Sequence, residues 1–154
     1  MIDVHAHYMP PALIERLRRE GARYGVSVVE TEPGCHALHF GYGLRLRPFF
    51  AKLVEEPAQR LASMDMTGID REILSTWTDL HGHGLGVEQG TAWHRLLNES
   101  LAGFAQRHPD RFSVLASGAP ACFRLAPGAR SPPHSSAPSS TRFRSPGSSS
   151  STAT

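Results

Sequence analysis

The chain changes character at a single point, between Gly118 and Ala119, and that break limits what it can fold into. All 14 acidic residues lie at or before Asp110. The 36 residues from Ala119 to Thr154 contain four Arg and no Asp, Glu, Lys, Asn or Gln. They hold 10 Ser, 6 Pro and 6 Ala, and their large apolar side chains are Phe123, Leu125 and Phe143. Such a segment buries too little apolar surface to offset the entropy of ordering it, so residues 119–154 are expected to be a disordered tail. Residues 1–118 carry 12 basic and 14 acidic side chains, a net charge of −2, and the tail carries +4. The overall charge of +2 therefore belongs to the tail and not to the part able to fold.

Three origins of the tail compete. It is a flexible arm for an acidic partner, a linker to a further domain, or the out-of-frame reading of a GC-rich gene. GC-rich codons read in the wrong frame give Arg, Pro, Ala, Ser and Gly in excess. The chain has 15 Arg and a single Lys, Lys52, which fits a GC-rich source, and the frameshift is the preferred reading.

The same split excludes function classes. A slightly acidic foldable part argues against a basic nucleic-acid-binding domain, and four tail Arg without interleaved aromatics are a thin basis for one. No run of 18 apolar residues exists, so no transmembrane helix is expected. Met1-Ile2-Asp3-Val4-His5 has neither the basic nor the apolar region of a signal peptide. Cys35 and Cys122 are too few and too far apart for a disulfide framework. A cytoplasmic protein is the expectation.

Residues 1–118 read as alternating strands and helices. Ile2–His7 alternates apolar and polar residues, the pattern of a short strand. Pro10-Pro11 stops it, and Leu13, Ile14 and Leu17 give the following helix an apolar face that ends at Gly21 or Gly25. Residues 26–32 and 36–42 flank Pro33-Gly34 and predict a β-hairpin. A second helix follows Pro57, carries Leu61 and Met64, and closes at Gly68. Ile73-Leu74-Ser75-Thr76-Trp77 is a buried-strand pattern, followed by the loop His81-Gly82-His83-Gly84. A third helix spans about 87–107, with Trp93, Leu96, Leu97, Leu101 and Phe104 at helical spacing and Pro109 beyond its end. Residues 111–116 predict one more core strand. Strands alternating with helices imply a parallel sheet with helical crossovers, and three such strands are an unfinished set.

His5 and His7 stand two apart on the first strand, so both side chains are expected on one face at its carboxyl end. Ligands and active sites of parallel α/β folds gather at that end. Two neutral imidazoles on one face suit zinc or another divalent metal, but the same pair also fits an ordinary surface or hydrogen-bonded core pair. Asp3 is either a supporting acceptor for one of them or purely structural.

Ile2-Asp3-Val4-His5-Ala6-His7-Tyr8-Met9-Pro10 resembles the opening of the amidohydrolase-related superfamily, in the branch that includes aminocarboxymuconate-semialdehyde decarboxylase. Leu44-Arg45-Leu46-Arg47-Pro48-Phe49 after the hairpin is similar to the same branch. So are the stretch from Arg60 to Asp70, Ile73-Leu74-Ser75-Thr76, the stretch from Leu96 to Ala102, and His108-Pro109-Asp110-Arg111-Phe112. The resemblance covers residues 1–118 and stops at the composition break.

The resemblance implies an α/β chain forming the incomplete N-terminal portion of a TIM (β/α)8 barrel, with the hairpin as an insertion. It implies a metal-dependent carboxy-lyase, or alternatively a hydrolase, acting on a small carboxylated substrate. His5 and His7 match the first-strand metal ligands. Arg47 resembles the arginine that holds a substrate carboxylate, for which a guanidinium fork is suited; a solvated hairpin arginine is the competing reading. His81, His83 and His94 match no position of the motif; His81 and His83 either flank the mouth of the active site or, as the preferred reading, belong to an exposed Gly-rich loop. The other ligands and the catalytic groups of the family come from later strands, so no catalytic residue is expected within this chain. Zinc or another divalent metal would be weakly held by two imidazoles. The chain would then be inactive alone, or would act only by association through its open sheet edge.

Sequencing the gene past codon 118 in all three frames checks the frameshift reading. The expected outcome is a frame encoding further strand–helix units; apolar periodicity in none of the three overturns it.

Overall fold

The computed structural model describes residues 1–118. The tail at 119–154, expected to be disordered, lies outside the described residues. The first strand, β1 (Ile2–His7), is followed by helix α1 (Pro11–Glu20), whose buried residues are Leu13, Ile14 and Leu17. One 3-10 turn (Gly21–Tyr24) leads into the hairpin β2 (Val26–Glu32) and β3 (Cys35–Phe40), paired antiparallel. Next come a four-residue helix α2 (Ala51–Val54) and helix α3 (Pro57–Thr67). Strand β4 (Arg71–Ser75), helix α4 (Val87–Ala105) and strand β5 (Phe112–Val114) complete the order. No helix among the described residues is long and apolar enough to cross a membrane.

The strands form two sheets. β1, β4 and β5 lie side by side in that order, and both pairings are parallel. The hairpin is a separate two-stranded sheet. The expected parallel sheet with helical crossovers and a hairpin after the first helix is therefore present. β3 stops at Phe40 rather than continuing to Tyr42, because the backbone turns there: the Gly43 N–H donates to the Phe40 carbonyl at 2.9 Å, with Gly43 at φ +102°. α2 has four residues, too few for any apolar period to show in the sequence.

Two apolar clusters hold these elements, and α4 belongs to both. Trp93, Leu96 and Leu97 of its first half pack with Leu13, Leu17, Leu38 and Phe40 from α1 and the hairpin. Leu101, Phe104 and Ala105 of its second half pack with Ala6, Leu74 and Phe112 of the sheet and with Met64 of α3. Spacings of three and four residues keep all six on one stripe. One face of the sheet is thus covered. Ile2 and Val4 at the start of β1 are 59% and 68% exposed, and β1 and β5 are the edge strands among the described residues.

Between sheet and helices lies a buried ion pair. Arg60 and Glu72 are each 1% exposed, and Arg60 Nε donates to Glu72 Oε2 at 2.6 Å. The guanidinium also donates to the Lys52 carbonyl at 3.0 Å and the His7 carbonyl at 3.4 Å, and lies 4.6 Å from the Tyr8 ring centre. Glu55 adds a second carboxylate at 3.4 Å. Burial pushes the Tyr8 phenol up to about 12, so it stays protonated and donates to the Glu55 carbonyl at 3.1 Å.

Removing one partner leaves the other charge buried and unpaired. Arg60→Ala is expected to cost about 3–5 kcal/mol in urea unfolding, and the double change Arg60→Met, Glu72→Leu to recover much of it. An Arg60→Ala protein as stable as wild type would show that the pair does not anchor the fold.

Candidate functional site at the strand ends

The carboxyl ends of β1, β4 and β5 open onto a cavity of about 650 Å³. His7, Ser75, Thr76, His81, His83 and Ser117 supply its polar lining. His7 ends β1 and pairs in register with Ser75 at the end of β4, so their side chains share a face. Ser75 Oγ lies 3.0 Å from His7 Nδ1, which leaves Nε2 as the ring atom for a ligand.

The expected pairing of His5 with His7 is met: the ring centres are 5.1 Å apart and nearly perpendicular. The backbone beneath them is irregular. The register of β1 against β4 shifts between Asp3 and Ala6, a bulge of the kind that re-aims side chains. Asp3 supports this bend, accepting the His5 backbone N–H at 2.9 Å. Its carboxylate thus serves the local backbone.

The loop after β4 is exposed at His83 and Gly84, as the Gly-rich pattern suggested, but its start is held against the protein. Thr78–His81 is a 3-10 turn, and two helix α4 side chains hold it from behind. Trp93 Nε1 donates to the Leu80 carbonyl at 2.6 Å, and His94 Nε2 lies 3.0 Å from the His81 carbonyl. In front, Gly82 has φ +62°, and a Cβ there would sit 2.9 Å from Phe40 and Leu85 atoms. Glycine is what lets the loop lie against the hairpin. The result carries His81, half-buried, and His83, exposed, into the cavity wall, with ring centres 5.8 Å apart. Burial first, then the neighbouring His94 and His83, hold the His81 imidazole below its ordinary value, so it is neutral at pH 7.

Arg47 does not enter this cavity. Its guanidinium lies 5.0 Å from the Trp77 ring centre and its Nε 3.9 Å from Asp79 Oδ2, with the side chain 68% exposed. It lines an adjoining cavity of about 410 Å³ with Arg45 and Asp79, and the two cavities share Thr78 and His83.

Sequence reasoning missed Ser75, Ser117 and Arg60. Ser75 had a usable signal, since it ends a strand beside the strand bearing His7. Ser117 and Arg60 had none, because their partners lie far off in sequence.

The donor set does not complete a metal centre. Two imidazoles stand together, but among the described residues no group of three or more His, Cys, Asp or Glu side chains is arranged to hold a metal ion. A catalytic zinc ordinarily takes three protein ligands.

No protein-family model matches the sequence, and no curated protein matches it. Solved structures do. The chain is similar to the 5-carboxyvanillate decarboxylase LigW from Sphingomonas paucimobilis, with 24% identity and a TM-score of 0.51, over 78% of this chain and 35% of that one. It is also similar to the Metarhizium anisopliae IDCase in its apo form, with 15% identity and a TM-score of 0.52, over 75% of this chain and 34% of that one. The likeness shows the fold, a mixed α/β chain with a parallel sheet. The chain spans about a third of the length of each structure.

The packing of the loop is testable by two alanines. Gly82→Ala forces both a strained φ and a clash, and is expected to destabilise by about 1–3 kcal/mol. Gly103→Ala, within α4 with nothing inside 4 Å of the added Cβ, is expected to stabilise by about 0.5–1 kcal/mol. Urea unfolding of both variants reads the difference; equal effects would show that the loop is not pinned.

Proposed function

We propose that residues 1–118 are the opening part of a (β/α)8 barrel of the amidohydrolase-related superfamily. In this reading the intact lineage carries out metal-dependent removal of a carboxyl group from a small carboxylated substrate, and the 154-residue chain is inactive alone. One observation carries it: His7, with the His5 ring 5.1 Å from its own, lines a cavity at the carboxyl ends of parallel strands, where barrel enzymes work. The likeness to a third of a decarboxylase chain supports it at the level of fold. A hydrolase on the same scaffold is the alternative chemistry.

Under this proposal His5 and His7 contribute two ligands to a zinc or similar divalent site that needs further groups. A complete site would supply Lewis-acid polarisation of the substrate. What these residues do is more limited. Ser75 fixes the His7 ring through Nδ1 and so points Nε2 outward. Arg47, stacked on Trp77 and only loosely paired with Asp79, has guanidinium donors to offer a carboxylate. In this reading the chain works in the cytoplasm.

A second reading is favoured by the exposed Ile2 and Val4 on edge strand β1. In it the chain acts only by associating with a copy of itself or a longer relative through that edge.

Zinc titrated into the purified chain is expected to bind with a Kd weaker than ~1 µM, under about 8 kcal/mol. Binding should vanish in His5→Ala and in His7→Ala; undiminished binding in both removes the pair from a metal role. No carbon dioxide release from carboxylated aromatic acids is expected of the zinc-loaded chain, and turnover would overturn its incompleteness. In a chain extended to eight strands, Arg47→Ala should lower activity with metal content unchanged. Sedimentation velocity separates the second reading, which requires a dimer that Ile2→Lys dissolves.

A further inference from the structure

Two guanidinium groups open onto the adjoining cavity of about 410 Å³, and neither is closed by a carboxylate. Arg45 and Arg47 both line it, and among the described residues of its wall a single carboxylate, Asp79, faces them. Arg47 Nε stands 3.9 Å from Asp79 Oδ2, beyond hydrogen-bond length. Arg45 makes no ion pair among the described residues. Arg16, Arg18 and Arg111 differ, each having a carboxylate oxygen 2.7–3.2 Å from a guanidinium nitrogen. The wall of this cavity therefore carries excess positive charge with donors to spare.

The backbone under both arginines is fixed. Arg45 bridges to His39 of β3 in antiparallel register, and the Leu46 N–H donates to the Leu38 carbonyl at 2.9 Å. The Leu46 side chain between them is buried. Trp77, 4% exposed, lies beneath the Arg47 guanidinium, a contact that restrains the cation without neutralising it. His83 stands on the wall common to this cavity and the His7 cavity. Its neighbours leave no room for side chains. Gly82 lies against Phe40 and Leu85, and a Cβ at Gly84 would fall 2.5 Å from the Tyr42 ring. The loop is pressed on the hairpin on both sides of His83, which holds the imidazole where the two cavities meet.

We propose that this cavity is an anion subsite: Arg45 and Arg47 receive a carboxylate, His83 marks its boundary with the His7 cavity, and Asp79 competes with the ligand for Arg47. The substrate class follows from the shared wall. It is an acid with two carboxyl groups, one held by the arginines and the other over the His7 cavity.

Asp79 sets the selectivity. It is near enough to weaken the field at Arg47 and too far to satisfy its donors. A carboxylate that binds must share Arg47 with it. Asp79 therefore lowers affinity for every anion and leaves the subsite to ligands held at a second point as well. As a place for substrate, the subsite rests on the function proposed above; as a place for an anion, it stands on the arginines alone.

Proton–nitrogen spectra of the metal-free 154-residue chain, titrated with isophthalate at neutral pH, test the subsite. Shifts are expected at residues 44–47 and 82–83 and at His7 and Ser75, with a Kd of about 1–10 mM, ordinary for a ligand of this size. Benzoate should bind about fivefold more weakly. Isophthalamide, the uncharged relative, should move none of these signals. Arg45→Gln and Arg47→Gln should each weaken isophthalate by about three- to tenfold. Asp79→Asn should tighten it by about two- to fivefold, which a merely structural carboxylate would not do. All three side chains are exposed, so the ligand-free variants should keep the wild-type amide spectrum away from the substitution. Isophthalate shifts that are absent, confined to residues 44–47, matched by benzoate or by inorganic phosphate, or undiminished in both arginine variants overturn the subsite. An Asp79→Asn chain that binds no tighter overturns the competition. The two readings fail separately: undiminished zinc binding in His5→Ala and His7→Ala leaves the shifts at the arginines standing, and absent isophthalate shifts leave the zinc result standing.

Discussion

The arrangement of the strand ends depends on one guanidinium. Arg60 sits where β1, β4, α3 and the 51–56 segment meet, and its donors reach Glu72, the Lys52 carbonyl and the His7 carbonyl. An ion pair at 1% exposure on both sides is a costly object, because two charges leave water. It persists because each of the three guanidinium nitrogens meets an oxygen and because the Tyr8 ring lies against the group. The carbonyl of His7 is one of those oxygens. The buried pair therefore fixes the backbone that carries a candidate site residue, although it contributes nothing to the cavity surface.

From that anchor the cavity follows by pairing. Parallel register brings Ser75 beside His7, and the bulge in β1 brings the His5 ring near the His7 ring. α4 then supplies the back wall, because its apolar stripe packs both clusters and its polar edge presents Trp93, His94 and Asn98 to the loops. The covered face of the sheet is a finished core. Ile2 and Val4 are not part of it, which is what three parallel strands with helices on one side produce.

Much of the fold was legible in residue patterns. Alternation in Ile2–His7, Pro11 after the first strand, Pro33-Gly34 between two β-rich runs, Gly68 after Met64 and the Trp93–Phe104 stripe each have a local cause, and each element formed. The ends of β3 and β5 were overrun because a ladder stops where the backbone turns away, as at the bond from the Gly43 N–H to the Phe40 carbonyl. The short helix α2 was invisible for lack of length. Within the site, His5 and His7 were legible because two residues apart on a strand is a local relation. His81 and His83 were seen as a motif, with an exposed loop preferred to a place at the site's mouth; His83 is exposed, but nothing near His81 in sequence announces the Trp93 and His94 bonds that hold the turn.

The sequence by itself determined the alternation of strand and helix, the charge division at Gly118, and the placing of two imidazoles at the end of the first strand. These depend on backbone preferences, apolar spacing and composition, which act over a few residues. Tertiary structure alone decided that Arg60 and Glu72 pair in the interior, that Arg47 faces a different cavity from His7, and that His94 bridges two loops. The bonds among them join residues between 12 and 23 positions apart. No local pattern encodes such distances; they arise when the strands are brought into register and the remaining polar groups must find partners.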